Sequence, residues 1–281
     1  MLLSYQDTTA GGHRVAIVVT TLFDDPIPLL KLLAKQTLKP TRIIVAAGSR
    51  ITANKLRELL RNEAMNIPVD IIYVRPDLRE HVGIRVGKTI NQALQLLNLH
   101  EIDYLLKIDA DVLIKTDYLE KCVKMDADLV GLGPFMLIKA KPFFLLLKGR
   151  WPETPADDAY IAMAFRAGGL RVTRFPEGIL VKRKGGATGS WRYYYLRGVD
   201  DWKVGFDPLR EFMAVLWLII RRRSMLPVFT LIAYIAAMLK GEKMYEFGVA
   251  NFTNGVRRYT HVVKRLTRIL IHMTYFKKGE D

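Results

Sequence analysis

From Val15 to Asp111 the chain alternates short apolar runs with helical patterns, and no other feature narrows its fold as much. Val15 to Thr20 (VAIVVT) is a continuous β-branched run, the mark of a strand buried on both faces. Arg42 to Ala47, Val69 to Val74 and the run beginning at Tyr104 follow in the same style. Between them lie helical patterns: Asp24-Asp25-Pro26 to about Gln36, about Thr52 to Ala64, and a stretch carrying Asn91, Ala93, Leu94 and Leu97. Such a βαβαβαβ order predicts an α/β fold with a doubly wound, mostly parallel sheet and right-handed crossovers.

The fourth run, Tyr104 to Ile108, ends in Asp109-Ala110-Asp111. Two carboxylates one residue apart at a strand end lean toward one point, which suits a hard cation that also holds substrate phosphates. Taken alone, such a triplet is more commonly a turn signal that caps the next helix. Its position favours a site, because open α/β sheets bind ligands at the carboxyl ends of their strands. Thr20-Thr21, closing the first run, offers hydroxyls and backbone at the same edge.

Past Asp111 the pattern loosens. Tyr118 to Lys124 reads as a helix, and Leu129 to Leu132 with Phe135 to Ile138 as two strands split by Gly133-Pro134. Phe143 to Leu147 (FFLLL) is either a buried helical turn or a greasy surface. Asp157-Asp158 heads an amphipathic helix that reaches Ala167 and stops at Gly168-Gly169. One acid there serves the helix dipole, and the second exceeds what a cap needs. A strand pair, Leu170 to Arg174 and Ile179 to Val181, leads into the basic, glycine-rich stretch from Lys182 to Arg192, whose cations and backbone suit a diphosphate.

From Phe206 the chain turns apolar and basic, so the expected domains are residues 1–205 and 206–281. Phe212 to Ile220 and Ser224 to Leu239 both fall short of the roughly 20 residues that cross a bilayer. After Phe247, apolar residues recur at helical spacing with Arg257, Arg258, Lys264, Arg265 and Arg268 between them. Helices of this type lie in the membrane interface; a hairpin entering one leaflet, or helices folded onto the first domain, remain as alternatives. The formal net charge of +15 directs the surface toward anions. Nucleic acid fits less well than lipid headgroups, because the cations are spread along apolar helices. Residues 1–12 read as a loose tail with no secretory leader, and the single cysteine, Cys122, as a small apolar helix residue.

Taken together, VAIVVTTLFDD, the L-x-x-L-x-x-Q helix end at Leu30 to Gln36, RIIVAAGS at Arg42 to Ser49, G-x-x-x-G-K-x-x-N at Gly83 to Asn91, the DAD triplet, Asp157-Asp158 and the R-x-x-G turn at Arg166 to Gly169 form an ordered set. In this the chain resembles the family 2 glycosyltransferases of GT-A fold, and among them the membrane-associated sugar transferases that act on polyprenyl or other lipid acceptors. The resemblance implies inverting transfer of one hexose from a nucleotide sugar, with GDP-mannose as the first choice and a UDP-sugar as the alternative. It implies Mn²⁺ or Mg²⁺ held by Asp109 and Asp111, and Asp158 as general base with Asp157 as the substitute. The donor site would draw on Thr20, Thr21, Ala46, Arg75, Lys88, Asp109, Ala110 and Arg192. The acceptor would be a lipid or polyprenyl phosphate, and the place of action an anionic membrane surface, on the cytoplasmic face of the cell membrane.

Three departures from the family pattern stand out. Ala46-Ala47 replaces an acidic pair, Lys182-Arg183-Lys184 stands where a histidine ligand is common, and Trp191-Arg192 reverses the processive synthases' order, which favours single-sugar transfer. A non-catalytic protein on the same fold is the competing expectation.

Overall fold

β1 (Val15–Thr21) is buried along its whole length, as a run of β-branched residues without polar alternation requires. It pairs in parallel with β2 (Arg42–Ala47) on one side and β4 (Tyr104–Asp109) on the other, and β3 (Val69–Tyr73) adds beyond β2. The computed structural model describes residues 12–22, 24–62, 66–177, 179–181 and 190–257. The basic, glycine-rich stretch at 182–189, the basic amphipathic pattern from 258 onward and residues 1–11 lie outside the described residues.

The main sheet has seven strands in the order β3-β2-β1-β4-β7-β6-β8, where β6 is Leu129–Val130, β7 is Phe135–Lys139 and β8 is Val172–Thr173. β7 runs antiparallel to both β4 and β6, so the sheet is mostly parallel with one reversed strand. The expected strand pair near Leu170 and Ile179 does not form as such. β8 joins β6, while β9 (Ile179–Val181) pairs antiparallel with β5 (Val112–Ile114) in a separate two-stranded ribbon. β5 spans only three residues and begins directly after the turn at Ala110-Asp111.

Alternate residues of β1 feed two cores. Val15, Ile17 and Val19 pack with Leu29, Leu30 and Leu33 of α1 (Ile27–Ala34), Leu56 of α2 (Arg50–Asn62) and Tyr118, Leu119 and Cys122 of α4 (Tyr118–Lys124). On the opposite face Val18 packs with Ile90 and Ala93 of α3 (Val82–Leu94), Phe143 of α5 (Ala140–Leu147) and Ile161 and Phe165 of α6 (Asp157–Ala167). Helices thus cover both faces, the three-layer solution for a parallel sheet. The FFLLL run divides: Phe143 is core, while Phe144, Leu145 and Leu146 are exposed. Cys122 is buried, and that burial pushes its thiol up to about 12, so it is inert packing.

The chain divides into units of residues 1–186 and 187–281, about twenty residues earlier than the apolar shift at Phe206 indicates. α7 (Trp191–Val204) belongs to the second unit because it packs along α9 (Val228–Leu239). Gly198 permits that approach: a methyl group there would lie 2.1 Å from the Thr230 carbonyl oxygen. α8 (Pro208–Arg222) and residues 246–257 are also helical.

Candidate active site

The sheet order reverses between β1 and β4, since β2 and β3 extend one way from β1 and β4 the other. At such a switch the connections diverge and leave a crevice at the carboxyl ends of the strands. Thr20 and Asp109 are register partners at that edge, and Thr20 Oγ1 donates to Asp109 Oδ1 at 2.8 Å. Lys107, two residues earlier and so on the same side of β4, reaches the same carboxylate oxygen at 2.7 Å. Its Nζ also donates to the Gly133 carbonyl at 2.9 Å. Backbone bonds fix the frame, with Asp109 N–H to the Pro134 carbonyl at 2.9 Å and Ala110 N–H to the Thr20 carbonyl at 3.0 Å.

Lys107 is enclosed, its side chain 5% exposed, whereas Asp109 keeps 30% of its side chain open. Burial pulls the Lys107 pKa down, but Asp109, Asp157 and Asp158 together hold it above the ordinary lysine value. The lysine therefore stays charged. It serves as the fixed counter-ion of three acids that come from two separate elements.

Asp157 and Asp158 occupy the first turn of α6. Asp157 Oδ2 accepts from Trp151 Nε1 at 2.7 Å. Some of its surface reaches solvent, yet protein surrounds most of the carboxyl. That crowding, with Asp158 beside it, raises its pKa to about 7 against the opposing pull of Lys107 and the indole. Asp158 Oδ1 accepts from the Ala159 N–H at 2.9 Å, and a methyl group built on Gly133 would sit 3.6 Å from its Oδ2. Asp158 thus stands beside the Gly133 turn that Lys107 grips.

The segment before α6 is held by the G-x-x-x-G-K-x-x-N motif, in a way its sequence did not disclose. A methyl group on Gly83 would lie 2.5 Å from the Thr154 carbonyl oxygen, and one on Gly87 2.4 Å from that of Pro152. Asn91 closes the contact: its Nδ2 donates to the Trp151 carbonyl and its Oδ1 accepts from the Trp151 N–H, at 2.9 and 2.7 Å. The motif is therefore a seat for residues 151–155, and through Trp151 it sets the position of Asp157. Lys88 within it is exposed and ion-paired to Glu80.

The remaining expected residues fall as follows. Thr21 is buried and its hydroxyl donates to the Asp24 carbonyl at 2.6 Å. Ala46 is wholly buried in the core beside α3 and α6, so any part it has in a donor site would fall to its backbone. Ala110 is buried and Asp111 half-buried in the turn between β4 and β5. Arg75 lines a cavity of 690 Å³ after β3, with Tyr73, Pro76, Asp77, Leu78 and Arg79. Arg192, exposed in the first turn of α7, belongs to the second unit. Lys107 and Trp151 are the residues that sequence reading passed over. Only Lys107 left a trace, as the charge inside the otherwise apolar run from Tyr104 to Ile108.

Among the described residues no group of three or more His, Cys, Asp or Glu side chains stands close enough to cage an ion. A Mg²⁺ or Mn²⁺ ion held by one or two carboxylates and by phosphate oxygens needs no such cage. Asp109 and Asp111 are oxygen donors of the kind such an ion takes, and Lys107 and Thr20 both bind one oxygen of Asp109, Oδ1.

No protein-family model matches the chain, and no curated protein matches it. Solved structures similar to it include TarS of S. aureus, at 16% identity and TM-score 0.47 over 73% of this chain and 43% of that one. TarS 1–349 in complex with UDP matches at 16% identity and TM-score 0.43 over 66% of this chain and 64% of that one. The glycosyltransferase GlyE of Streptococcus pneumoniae TIGR4 matches at 14% identity and TM-score 0.36, over 59% and 46%. The chain spans less than two thirds of each of these proteins.

Proposed function

We propose that the chain transfers a single hexose from a nucleotide sugar to a lipid-linked acceptor, with inversion at the sugar carbon. The observation that carries this reading is the meeting of Asp109, Asp157 and Asp158 around Lys107 at the sheet's switch point. The parallel strands β3, β2, β1 and β4 put the Arg75 cavity and Asp109 at one edge, three strand spacings or roughly 14 Å apart. That span suits a nucleoside at β3 and its diphosphate at β4.

In this reading the acceptor oxygen bonds to the anomeric carbon, and Asp158 takes its proton where the acceptor is a hydroxyl or a monoanionic phosphate; a fully ionised phosphate attacks with no proton to lose. The bond from that carbon to the diphosphate breaks, and the electron pair leaves with the nucleoside diphosphate. Asp157, tied to the indole, orients the helix turn that presents Asp158. Asp109 and Asp111 would hold Mn²⁺ or Mg²⁺, which when bound supplies positive charge to the departing diphosphate. GDP-mannose is the first donor to test and UDP-sugars the second; a polyprenyl phosphate is the first acceptor. A lipid acceptor places the work at a membrane, on its cytoplasmic face.

A thermal-shift panel of GDP-, UDP-, dTDP- and CDP-sugars with and without Mn²⁺ tests the donor. One nucleotide at about 100 times its Kd should add roughly 2.7 kcal/mol to the folded state. No shift with any of them removes the reading.

A further inference from the structure

α8 is built the wrong way round for a helix surrounded by water. Glu211 is 3% exposed and shares the inward face with Val215, whereas Ile220 is 69% exposed. Leu209, Phe212, Met213, Leu216, Trp217 and Ile220 all face outward. Their spacing of i, i+3, i+4, i+7, i+8 and i+11 makes one continuous stripe, roughly 17 Å long. Water opposes a contiguous apolar surface of that size, so the stripe has an occupant.

Charge selects which. The stripe ends in Arg221-Arg222-Arg223, in a chain of net charge +15. Arg221 lies 4.8 Å over the Trp217 ring, a pairing of a cation and an amphipathic aromatic that suits the boundary of headgroup and acyl chain. Arg222 turns back to the Tyr194 hydroxyl at 3.0 Å, which leaves Arg221 and Arg223 at the helix end for anions. The following turn exposes Met225, and α9 exposes Ile232, Ile235 and Leu239 ahead of Lys240. Among the described residues no helix is long and apolar enough to cross a membrane.

We propose that α8 seats the protein on anionic lipid bilayers, with its axis in the membrane plane, its apolar stripe among the outer acyl carbons, and Arg221 and Arg223 on lipid phosphates. The inference deepens the lipid-acceptor reading above by naming the surface that meets the membrane, and it rests on that reading only for its biological purpose.

The full chain is floated with phosphatidylcholine vesicles, with and without phosphatidylglycerol, while tryptophan quenching by acyl-brominated lipid is followed. Flotation is expected with the anionic vesicles, with quenching that Trp217→Phe largely removes while flotation persists. The double substitution Leu216→Glu with Ile220→Glu should lower vesicle partition at least about tenfold, because two apolar side chains of the lipid-facing stripe become charged. Its Tm and its nucleotide-sugar thermal shift should match wild type. Arg221→Glu with Arg223→Glu should abolish the preference for anionic lipid. Unchanged partition of the Leu216/Ile220 variant overturns the proposal, as does binding without Trp217 quenching, which would assign the contact to another surface such as residues 258–281. Loss of self-association in that variant with partition intact would make the stripe an interface between copies. Vesicle binding without any nucleotide-sugar binding removes the transfer reading and leaves the seating; the reverse result does the opposite.

Discussion

Two ionic networks are buried in this protein, one in each unit, and among the described residues both hold more acids than bases. At the sheet edge Lys107 faces three acids, Asp109, Asp157 and Asp158. In the helical unit Asp200, Asp201, Asp207 and Glu211 share Arg197 and Arg210. Burial raises carboxyl pKa values in both, Asp157 to about 7, Asp201 to about 6 and Glu211 to about 8. Access separates them: Asp109 is 30% open, while Asp200, Asp201, Asp207 and Glu211 are all buried. A charge-deficient cluster with an open side can take up a cation from solution, whereas a closed one can only take up protons. The first arrangement is suited to binding, and the second ties the stability of its unit to pH.

The largest effect should come from the open network. Asp158→Asn keeps the shape of the turn and removes the proton acceptor, so transfer should fall about 10²- to 10⁴-fold. Donor binding and Tm should stay near wild type. A comparable loss of stability, measured by chemical denaturation, would make the edge acids structural and erase the contrast.

Close backbone contacts come next. Gly87→Ala forces a methyl group to 2.4 Å from the Pro152 carbonyl, and Gly198→Ala one to 2.1 Å from that of Thr230. Each should cost about 1–3 kcal/mol, since backbone rather than a side-chain tip must yield. The two should differ in consequence. Gly87→Ala shifts the segment that carries Trp151 and should lower turnover more than donor affinity, while Gly198→Ala should act on stability alone.

The closed network should appear in the pH dependence of unfolding. Folded Glu211 keeps its proton to about pH 8, because it is buried and lies near Asp201. The unfolded chain releases that proton near the ordinary glutamate value of about 4.3. Between these the folded state binds more protons, so its stability is greatest at the acid end and declines as pH rises toward 8, by at most about 1.4 kcal/mol per pH unit for one group. Glu211→Gln mimics the protonated form. It should leave Tm nearly unchanged near pH 4 and raise it increasingly up to pH 8, in a melting series across that range.

Much of this architecture could be read from the residues. β2 at Arg42–Ala47, α4 at Tyr118–Lys124 and α6 at Asp157–Ala167 lie where their patterns place them, because Gly48, Gly168 and the acid pair punctuate them locally. Long-range pairing was not legible. β5 and β9 have three residues each, too few for periodicity, and they meet across more than sixty residues of chain. The sheet-edge acids could be named, but their common partner could not, because Lys107 depends on the Gly133 carbonyl and on α6 arriving from the far side of the fold. The glycine motif shows the same limit. Its small residues announce a close approach, and only the fold reveals that the approaching group is the chain's own backbone at residues 152–155.

The smallest effect is the most direct probe of access, because the same chemistry can be removed from each network. Thr20→Val deletes a hydroxyl that donates to Asp109 at 2.8 Å, and Tyr245→Phe one that donates to Asp200 at 2.7 Å. Each variant leaves a carboxylate one donor short. Asp109 borders solvent and retains Lys107, so water can replace the lost bond and the cost should stay below about 1 kcal/mol. Asp200 is 2% exposed, and a buried carboxylate deprived of a donor should cost about 1–3 kcal/mol. Denaturant titration of the two variants beside wild type measures the difference. Equal losses would mean that the edge network is as closed as the helical one, and the assignment of one to ligand binding and the other to proton binding would fail with it.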